Sequence, residues 1–364
     1  MTADRLFRLS DFNYELPQEL IAQRPTERRG ESRLLVVERA ERAERAEKAE
    51  KAEPPLAFSL SDLSFSELPS LIPQGDLLVL NTTRVRHARF LGRRPSGAPA
   101  EVLLIHPATE GGDTWVALGR PGSALRPGKR VEVGPDVHIE TVEVLADGNR
   151  RVRFLGASAA EAVSRHGLLP LPPYIAREPD STDDERYQTV YAEREGSVAA
   201  PTAGLHFTLE LLDSLRTKGV EIGTLDLEVG PGTFKPVETE DLSQHRMHPE
   251  RFSISEALAA AIGAARRRGS AVWAVGTTVV RALESAAEEE GKVRTGGGET
   301  TLFITPGFRF RVVDHLITNF HLPRSTLLIL VCAFGGVEAI LTAYRHAIER
   351  RYRFYSYGDA MVIV

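Results

Sequence analysis

Apolar residues in this chain follow two rhythms, and the change between them divides it. From Asp76 to Leu155, short β-rich runs succeed one another with no helical pattern between them. They are Leu77–Leu80, Val85–Leu91, Ala100–Ile105, Thr114–Leu118, Arg130–Val133, Val137–Val144 and Arg151–Leu155, separated by Gly, Pro, Asp and Asn. Strands this closely spaced predict a small antiparallel barrel or sandwich at residues 85–155. After Val198 the rhythm becomes strand, helix, strand, helix. The pattern predicts a helix capped by Thr208 and stopped at Gly219, a strand over Val220–Val229, and an amphipathic helix over Ser255–Arg268 stopped by Gly269. A strand over Ala271–Val275, a helix over Thr278–Glu290, a strand over His315–Phe320 and helices from Ser325 to Arg350 follow. That alternation argues for parallel strands covered by helices, with the N-terminal residues and the Leu77 strand completing the same unit.

Three junctions in the second half stand out. The run ending at Ala199-Ala200 leads into Pro201-Thr202-Ala203-Gly204-Leu205-His206-Phe207; Ala271–Val275 leads into Gly276-Thr277-Thr278; His315–Phe320 leads into His321-Leu322-Pro323-Arg324-Ser325-Thr326. Each puts small or polar groups at the carboxyl end of a strand, where α/β folds bind ligands. Three such ends predict one shared pocket.

Composition narrows the setting. At 364 residues, 42% hydrophobic and 26% charged, the chain is long enough for two cores and has the balance of an ordinary globular protein. Its longest apolar run, Leu327–Phe334, is too short to span a bilayer, and Met1–Arg5 lacks the apolar core of a secretory leader, so a cytoplasmic protein without membrane contact is expected. The single cysteine, Cys332, sits inside that run and reads as structural. A net charge of -5 does not advertise nucleic acid, yet Arg84, Arg86, Arg89, Arg93 and Arg94 form one of several local basic clusters. Residues 38–53 repeat Glu, Arg or Lys, and Ala with period three, which favours helix but holds no apolar stripe; an exposed charged insertion is expected.

Candidate chemistry is sparse. Glu228-Val229-Gly230-Pro231-Gly232 follows a strand and superficially fits an acidic, Gly-rich nucleoside loop, but Pro236 discourages the helix such a loop should open. Glu228 there can accept hydrogen bonds from a ribose or an amine. Gly276-Thr277-Thr278, opening a helix that continues through Arg281, offers N–H groups and hydroxyls to an oxygen-rich ligand. His245 and His248 lack a third nearby ligand, which argues against a zinc site, so no metal is expected. His206 and His321 sit at the predicted rim, where an imidazole can take or give a proton. No G-x-S-x-G elbow and no P-loop lysine occurs.

Longer motifs carry a resemblance. They are Asp11-Phe12-Asn13-Tyr14-Glu15-Leu16-Pro17, Leu80-Asn81-Thr82-Thr83-Arg84-Val85, Ala200–Phe207, Val229–Phe234, His245–His248, Ala274–Thr278, Thr318-Asn319-Phe320-His321-Leu322-Pro323 and Phe354–Met361. In that order the chain resembles the S-adenosylmethionine-dependent tRNA ribosyltransferase-isomerase family of queuosine biosynthesis. The charged insertion and Pro231, where a small residue such as alanine is common, are departures.

The resemblance implies an α/β fold: a barrel-like main domain, residues 1–84 and 156–364, with an inserted small antiparallel β-barrel domain, residues 85–155. It implies a transferase that moves and isomerises the ribosyl part of S-adenosylmethionine, a cosubstrate, onto the 7-aminomethyl-7-deazaguanine at the wobble position of a tRNA anticodon stem-loop. Epoxyqueuosine forms, and adenine and methionine leave. On that basis His206 and His321 are expected to share the proton transfers and Glu228 to orient the amine or cosubstrate. Thr202, Gly204, Gly230, Gly232, Gly276, Thr277 and Thr278 are expected to line the cosubstrate pocket, with Asn319 hydrogen-bonding ribose or base. Arg84, Lys235 and Arg281 are expected to meet RNA phosphates, and the chain to act as a monomer. A conventional S-adenosylmethionine-dependent RNA methyltransferase and a non-catalytic tRNA-binding module are the alternatives.

Overall fold

The computed structural model describes residues 7–39, 58–108, 113–234, 237–289 and 291–364. Besides one-turn pieces, the chain runs β1 (Arg33–Arg39), β2 (Phe58–Ser64), β3 (Leu77–Asn81), β4 (Thr83–Val85), β5 (Arg89–Arg93), β6 (Pro99–Pro107), β7 (Thr114–Arg120), β8 (Arg130–Gly134), β9 (Val137–Val144) and β10 (Arg150–Leu155). Then come α1 (Ala159–His166), α2 (Ser181–Arg186), β11 (Arg194–Ser197), α3 (Leu209–Lys218), β12 (Glu221–Leu227), β13 (Glu250–Ile254), α4 (Glu256–Arg268), β14 (Val272–Val275) and α5 (Thr277–Ala286). A small hairpin, β15 (Ala287–Glu289) and β16 (Lys292–Val293), precedes β17 (Gly296–Thr300), β18 (His315–Asn319), α6 (Thr326–Gly335), α7 (Val337–Glu349) and β19 (Ala360–Ile363).

The main sheet has nine strands in the order β17-β13-β12-β3-β14-β18-β19-β1-β2. Its centre, β12, β3, β14 and β18, is parallel, as the alternation predicts. Both flanks are different. β13 and β17 join antiparallel on one side; on the other, β19 runs antiparallel to β18 and parallel to β1, and β2 closes antiparallel to β1. The sheet is therefore mixed, and it ends at β17 and β2 as two separate edges, where the resemblance implied a barrel-like unit. The successive strands β1 and β2 pair antiparallel, a partnership that needs no crossover helix, which is why the alternation gave no sign of them.

Period-two alternation assigns the faces. Leu77 and Val79 pack with Leu258, Ile262, Leu283, Ile329 and Tyr344 of α4–α7, while Leu78, Leu80, Trp273 and Ile317 pack on the other side with Leu212 and Leu215 of α3 and with Phe65. Thr208 and Ser255 cap α3 and α4 through their side-chain oxygens, each cap contributing about 1 kcal/mol.

Strands β10-β7-β6-β5-β8-β9 form a closed antiparallel barrel filled by Phe90, Val102, Leu104, Val131, Ile139 and Val152. The single strand predicted over Val85–Leu91 is two: β4 leaves to pair in parallel with β11, and β5 enters the barrel. β11 is accordingly part of a two-stranded sheet outside the main one. Of the charged stretch, Glu38 and Arg39 belong to β1, opposite Ser59 and Phe58, and residues 40–53 lie outside the described residues. The helix expected to reach Glu290 ends at Ala286. No single described helix is long and apolar enough to cross a membrane; α6 and α7 are set 114° apart across Gly336.

Candidate active site

All four central parallel strands end on one rim, and buried polar side chains tie the ends together. Asn81, at the end of β3, accepts from the backbone N–H of Leu227 and donates to its carbonyl at 3.0 and 3.1 Å. Ser197, at the end of β11, accepts from Val229 N–H and hydrogen-bonds Thr83 Oγ1, both at 2.7 Å. At the end of β14, Gly276 has φ of 93°, a conformation that a side chain rarely adopts, and its N–H donates to Ile317 of β18 at 2.8 Å. The turn Thr202–His206 packs against β18 and delivers the third predicted junction to the same place.

A cleft opens between these ends. It is lined by Thr202, Gly276, Thr277 and Thr278, by Thr318, Asn319 and His321, and by Tyr174, Tyr355 and Ser356. The three junctions read from the sequence thus share one cavity. The tyrosines were not anticipated: their rings lie 4.7 Å apart, and Tyr355 holds a left-handed φ of 70°. Backbone strain in a bulky residue beside a cavity is the kind of cost a site retains. Tyr174 Oη is fixed by Ser356 Oγ at 2.6 Å.

Asn319 is 2% exposed, and its amide is oriented by its surroundings. Nδ2 reaches the carbonyls of Tyr355 and Asp359 at 3.2 and 3.5 Å and His206 Nε2 at 3.0 Å. Because Nδ2 is the donor, Nε2 of His206 must accept, and Nδ1–H then donates to Ser32 Oγ at 2.7 Å. Asn319 Oδ1 has no partner among the described residues, nor does Thr278 Oγ1. Two buried, unpaired acceptor sites in one cleft call for a ligand that brings donors.

His206, expected to transfer protons, lies behind this wall. Both of its ring nitrogens are engaged, Phe65 covers its ring, and it does not line the cleft. Burial, reinforced by Arg29 and Arg353, pushes its pKa down to about 3. His321 does line the cleft; its Nε2 meets Thr318 Oγ1 at 2.7 Å, and burial alone lowers its pKa to about 3. Both imidazoles are therefore neutral at pH 7.

A groove adjoins the cleft at Val229-Gly230 and Leu327. Gly230 and Gly232 line it, the first donating its N–H to Glu250 Oε1 at 3.3 Å and the second lying against His248. Arg281, expected to meet RNA phosphates, is 4% exposed and ion-paired with buried Glu250, and it lines the groove wall. Glu250 is the acidic residue that the sequence reading missed; nothing local in Pro249-Glu250-Arg251 marks it, because its partner is 31 residues away.

The remaining candidates disperse. Glu228 packs against Gly196 and lines neither cleft nor groove. Gly204 is a packing glycine: a Cβ there would sit 2.1 Å from Tyr191 Oη. Arg84 is exposed and donates to the carbonyl of Ala192 at 2.8 Å. Lys235 lies outside the described residues.

The comparisons with known proteins agree with one another. Residues 9–363 match the family described as Queuosine biosynthesis protein. The S-adenosylmethionine:tRNA ribosyltransferase-isomerase of Symbiobacterium thermophilum is 49% identical over 360 residues, 98% of this chain and 100% of its own. That of Cupriavidus pinatubonensis is also 49% identical, over 98% of this chain and 99% of its own. The crystal structure of S-adenosylmethionine tRNA ribosyltransferase from Thermotoga maritima superposes with a TM-score of 0.53 at 34% identity, covering 97% of this chain and 100% of that one. The chain belongs to the queuosine biosynthesis protein family.

Proposed function

We propose that this protein transfers and isomerises the ribosyl group of S-adenosylmethionine onto the 7-aminomethyl-7-deazaguanine wobble nucleotide of a tRNA anticodon stem-loop, forming epoxyqueuosine and releasing adenine and methionine. The observation that carries it is the cleft itself. Asn319 Oδ1 and Thr278 Oγ1 offer unpaired hydrogen-bonding atoms beside the aromatic faces of Tyr174 and Tyr355, which suits a flat base, its ribose hydroxyls and an adjacent sulfonium.

The bound cosubstrate supplies a sulfonium that acidifies its 5′ carbon. His321 is assigned the proton transfers on its position, as the imidazole that lines the cleft: it is unprotonated at neutral pH and so free to accept, burial makes it a weak base, and its conjugate acid gives the proton up readily to the departing adenine. His206 is assigned a positioning role, holding Asn319 so that Oδ1 faces the ligand. The buried walls favour a neutral attacking amine. The barrel, residues 85–155, is assigned as a separate unit whose Arg89 and Arg120 face Pro170–Pro173 across a groove that reaches Pro231; this groove is where the stem-loop would lie, with exposed Arg84 nearby in sequence. A single chain holds every group named, in keeping with a monomer.

Incubation with S-adenosylmethionine and an anticodon stem-loop bearing the aminomethyl base, followed by mass spectrometry of the RNA, tests the reading. Free adenine and methionine with an epoxyqueuosine product are expected. S-adenosylhomocysteine would instead identify a methyltransferase, and RNA binding without turnover a non-catalytic module.

A further inference from the structure

The buried Arg281–Glu250 pair is costly to keep. Both side chains are 5% exposed, and two ions withdrawn from water recover their hydration only when every donor and acceptor is matched. Here the matching is incomplete. Arg281 Nε donates to the carbonyl of Leu302 at 3.1 Å and Nη1 to Glu250 Oε2, but Nη2 finds no acceptor among the described residues. Arg281 lies one helical turn beyond Thr277 and Thr278 on α5, so all three share a face of the helix. The threonines line the cleft, while Arg281 and Glu250 line the groove that joins it at Gly230 and Leu327.

A guanidinium with a spare N–H beside a carboxylate is the complement of a zwitterion. We propose that Arg281 and Glu250 form the receptor for the amino-acid end of the cosubstrate, Arg281 Nη2 binding the α-carboxylate and Glu250 the α-ammonium. The inference rests on the reading of the cleft as the nucleoside site and extends it along α5. It makes Arg281 a specificity residue: it separates S-adenosylmethionine from sulfonium nucleosides that lack the carboxylate.

Calorimetric titration tests this on the full chain mixed with an anticodon stem-loop whose wobble base is unmodified guanine, which permits binding without turnover. Three ligands are compared: S-adenosylmethionine, its decarboxylated analogue, which keeps the amine, and 5′-methylthioadenosine, which has neither charged group. A charge-assisted hydrogen bond predicts that Arg281→Gln weakens S-adenosylmethionine about 10- to 100-fold while leaving the other two within about threefold. Glu250→Gln is expected to weaken both amine-bearing ligands and spare 5′-methylthioadenosine. If Arg281→Gln does not fold, as judged by circular dichroism, Arg281→Lys carries the same comparison with a smaller loss. Equal losses for all three ligands would reduce the pair to a structural role and overturn the inference. Failure of the unaltered protein to bind any of the three would instead overturn the nucleoside reading of the cleft.

Discussion

His206→Gln is expected to change how the protein's stability depends on acid. In the folded chain burial holds the imidazole pKa near 3, against 6.5 for an ordinary histidine. Between those values the unfolded chain binds a proton that the native chain refuses, so the free energy of unfolding falls as pH falls, by up to about 1.4 kcal/mol per pH unit. Integrated from pH 6.5 to 4.5, His206 alone removes about 2 kcal/mol, a sizeable part of a typical total of about 5–15 kcal/mol. Glutamine keeps a donor and an acceptor but cannot titrate. The variant should be less stable than the parent at pH 7, because Ser32 and Asn319 lose a well-placed partner, and the gap should close by about 2 kcal/mol at pH 4.5. Urea unfolding of both proteins at pH 6.5, 5.5 and 4.5 measures it. A gap independent of pH would mean that His206 titrates normally when folded, and the donor and acceptor assignments that orient Asn319 would fall with it.

Other perturbations address the cleft and its supports. Asn319→Asp would set a carboxylate against the carbonyls of Tyr355 and Asp359, and calorimetric affinity for S-adenosylmethionine should drop at least about 100-fold. His321→Ala should keep cosubstrate binding and lose adenine release by about 10²- to 10⁴-fold; in the parent, the pH profile of kcat/KM should show no inflection near 6.5 from this residue, whose pKa burial holds near 3. Asp183 accepts two hydrogen bonds from Arg177 and one from Tyr357 Oη, at 2.6–2.7 Å; Asp183→Ala should cost about 3–5 kcal/mol, read as a fall in melting temperature. Cys332 is 1% exposed and burial raises its thiol pKa, so a disulfide reagent should label it only in denaturant.

The elements that carry strong local pattern were legible. Thr208 and Gly219 bracket α3, and Ser255 and Gly269 bracket α4, as their capping chemistry requires. Each barrel strand from Pro99 to Leu155 overlaps a predicted run, because a closed ring of strands imposes alternation on every member. What failed was long-range. β17 reads Gly-Gly-Gly-Glu-Thr, a poor strand sequence that exists because β13 supplies its ladder. β19 is four residues whose place between β18 and β1 depends on a strand at the far end of the chain, β1. Of the sequence candidates, Thr202, Gly276, Thr277, Thr278, Asn319 and His321 line the cleft, and each lies at or just after the end of a strand. His206 also follows one and yet faces away. Its orientation is set by Ser32, 174 residues earlier, and no local signal encodes that contact.

Counting hydrogen bonds separates groups that build the rim from groups left for a ligand. At the rim Asp359 takes the backbone N–H groups of Arg33 and Arg353, and Asn81 has both side-chain polar atoms engaged; at the opposite end of the sheet Glu284 does the same for Arg311, Val312 and Val313 at 2.9–3.0 Å. These side chains do for irregular backbone what a ladder does for a strand, and a buried group so occupied has little left to offer. Along the cleft and groove, unpaired atoms remain on Thr278, Asn319, Arg281 and Thr239. The first three follow a path from the end of β18 across the first turn of α5 to its second, from nucleoside-sized cleft to charged groove. A substrate with a base and sugar at one end and a zwitterion at the other would satisfy both ends of that path. A bare nucleoside would leave Arg281 as it stands, one N–H short of a partner.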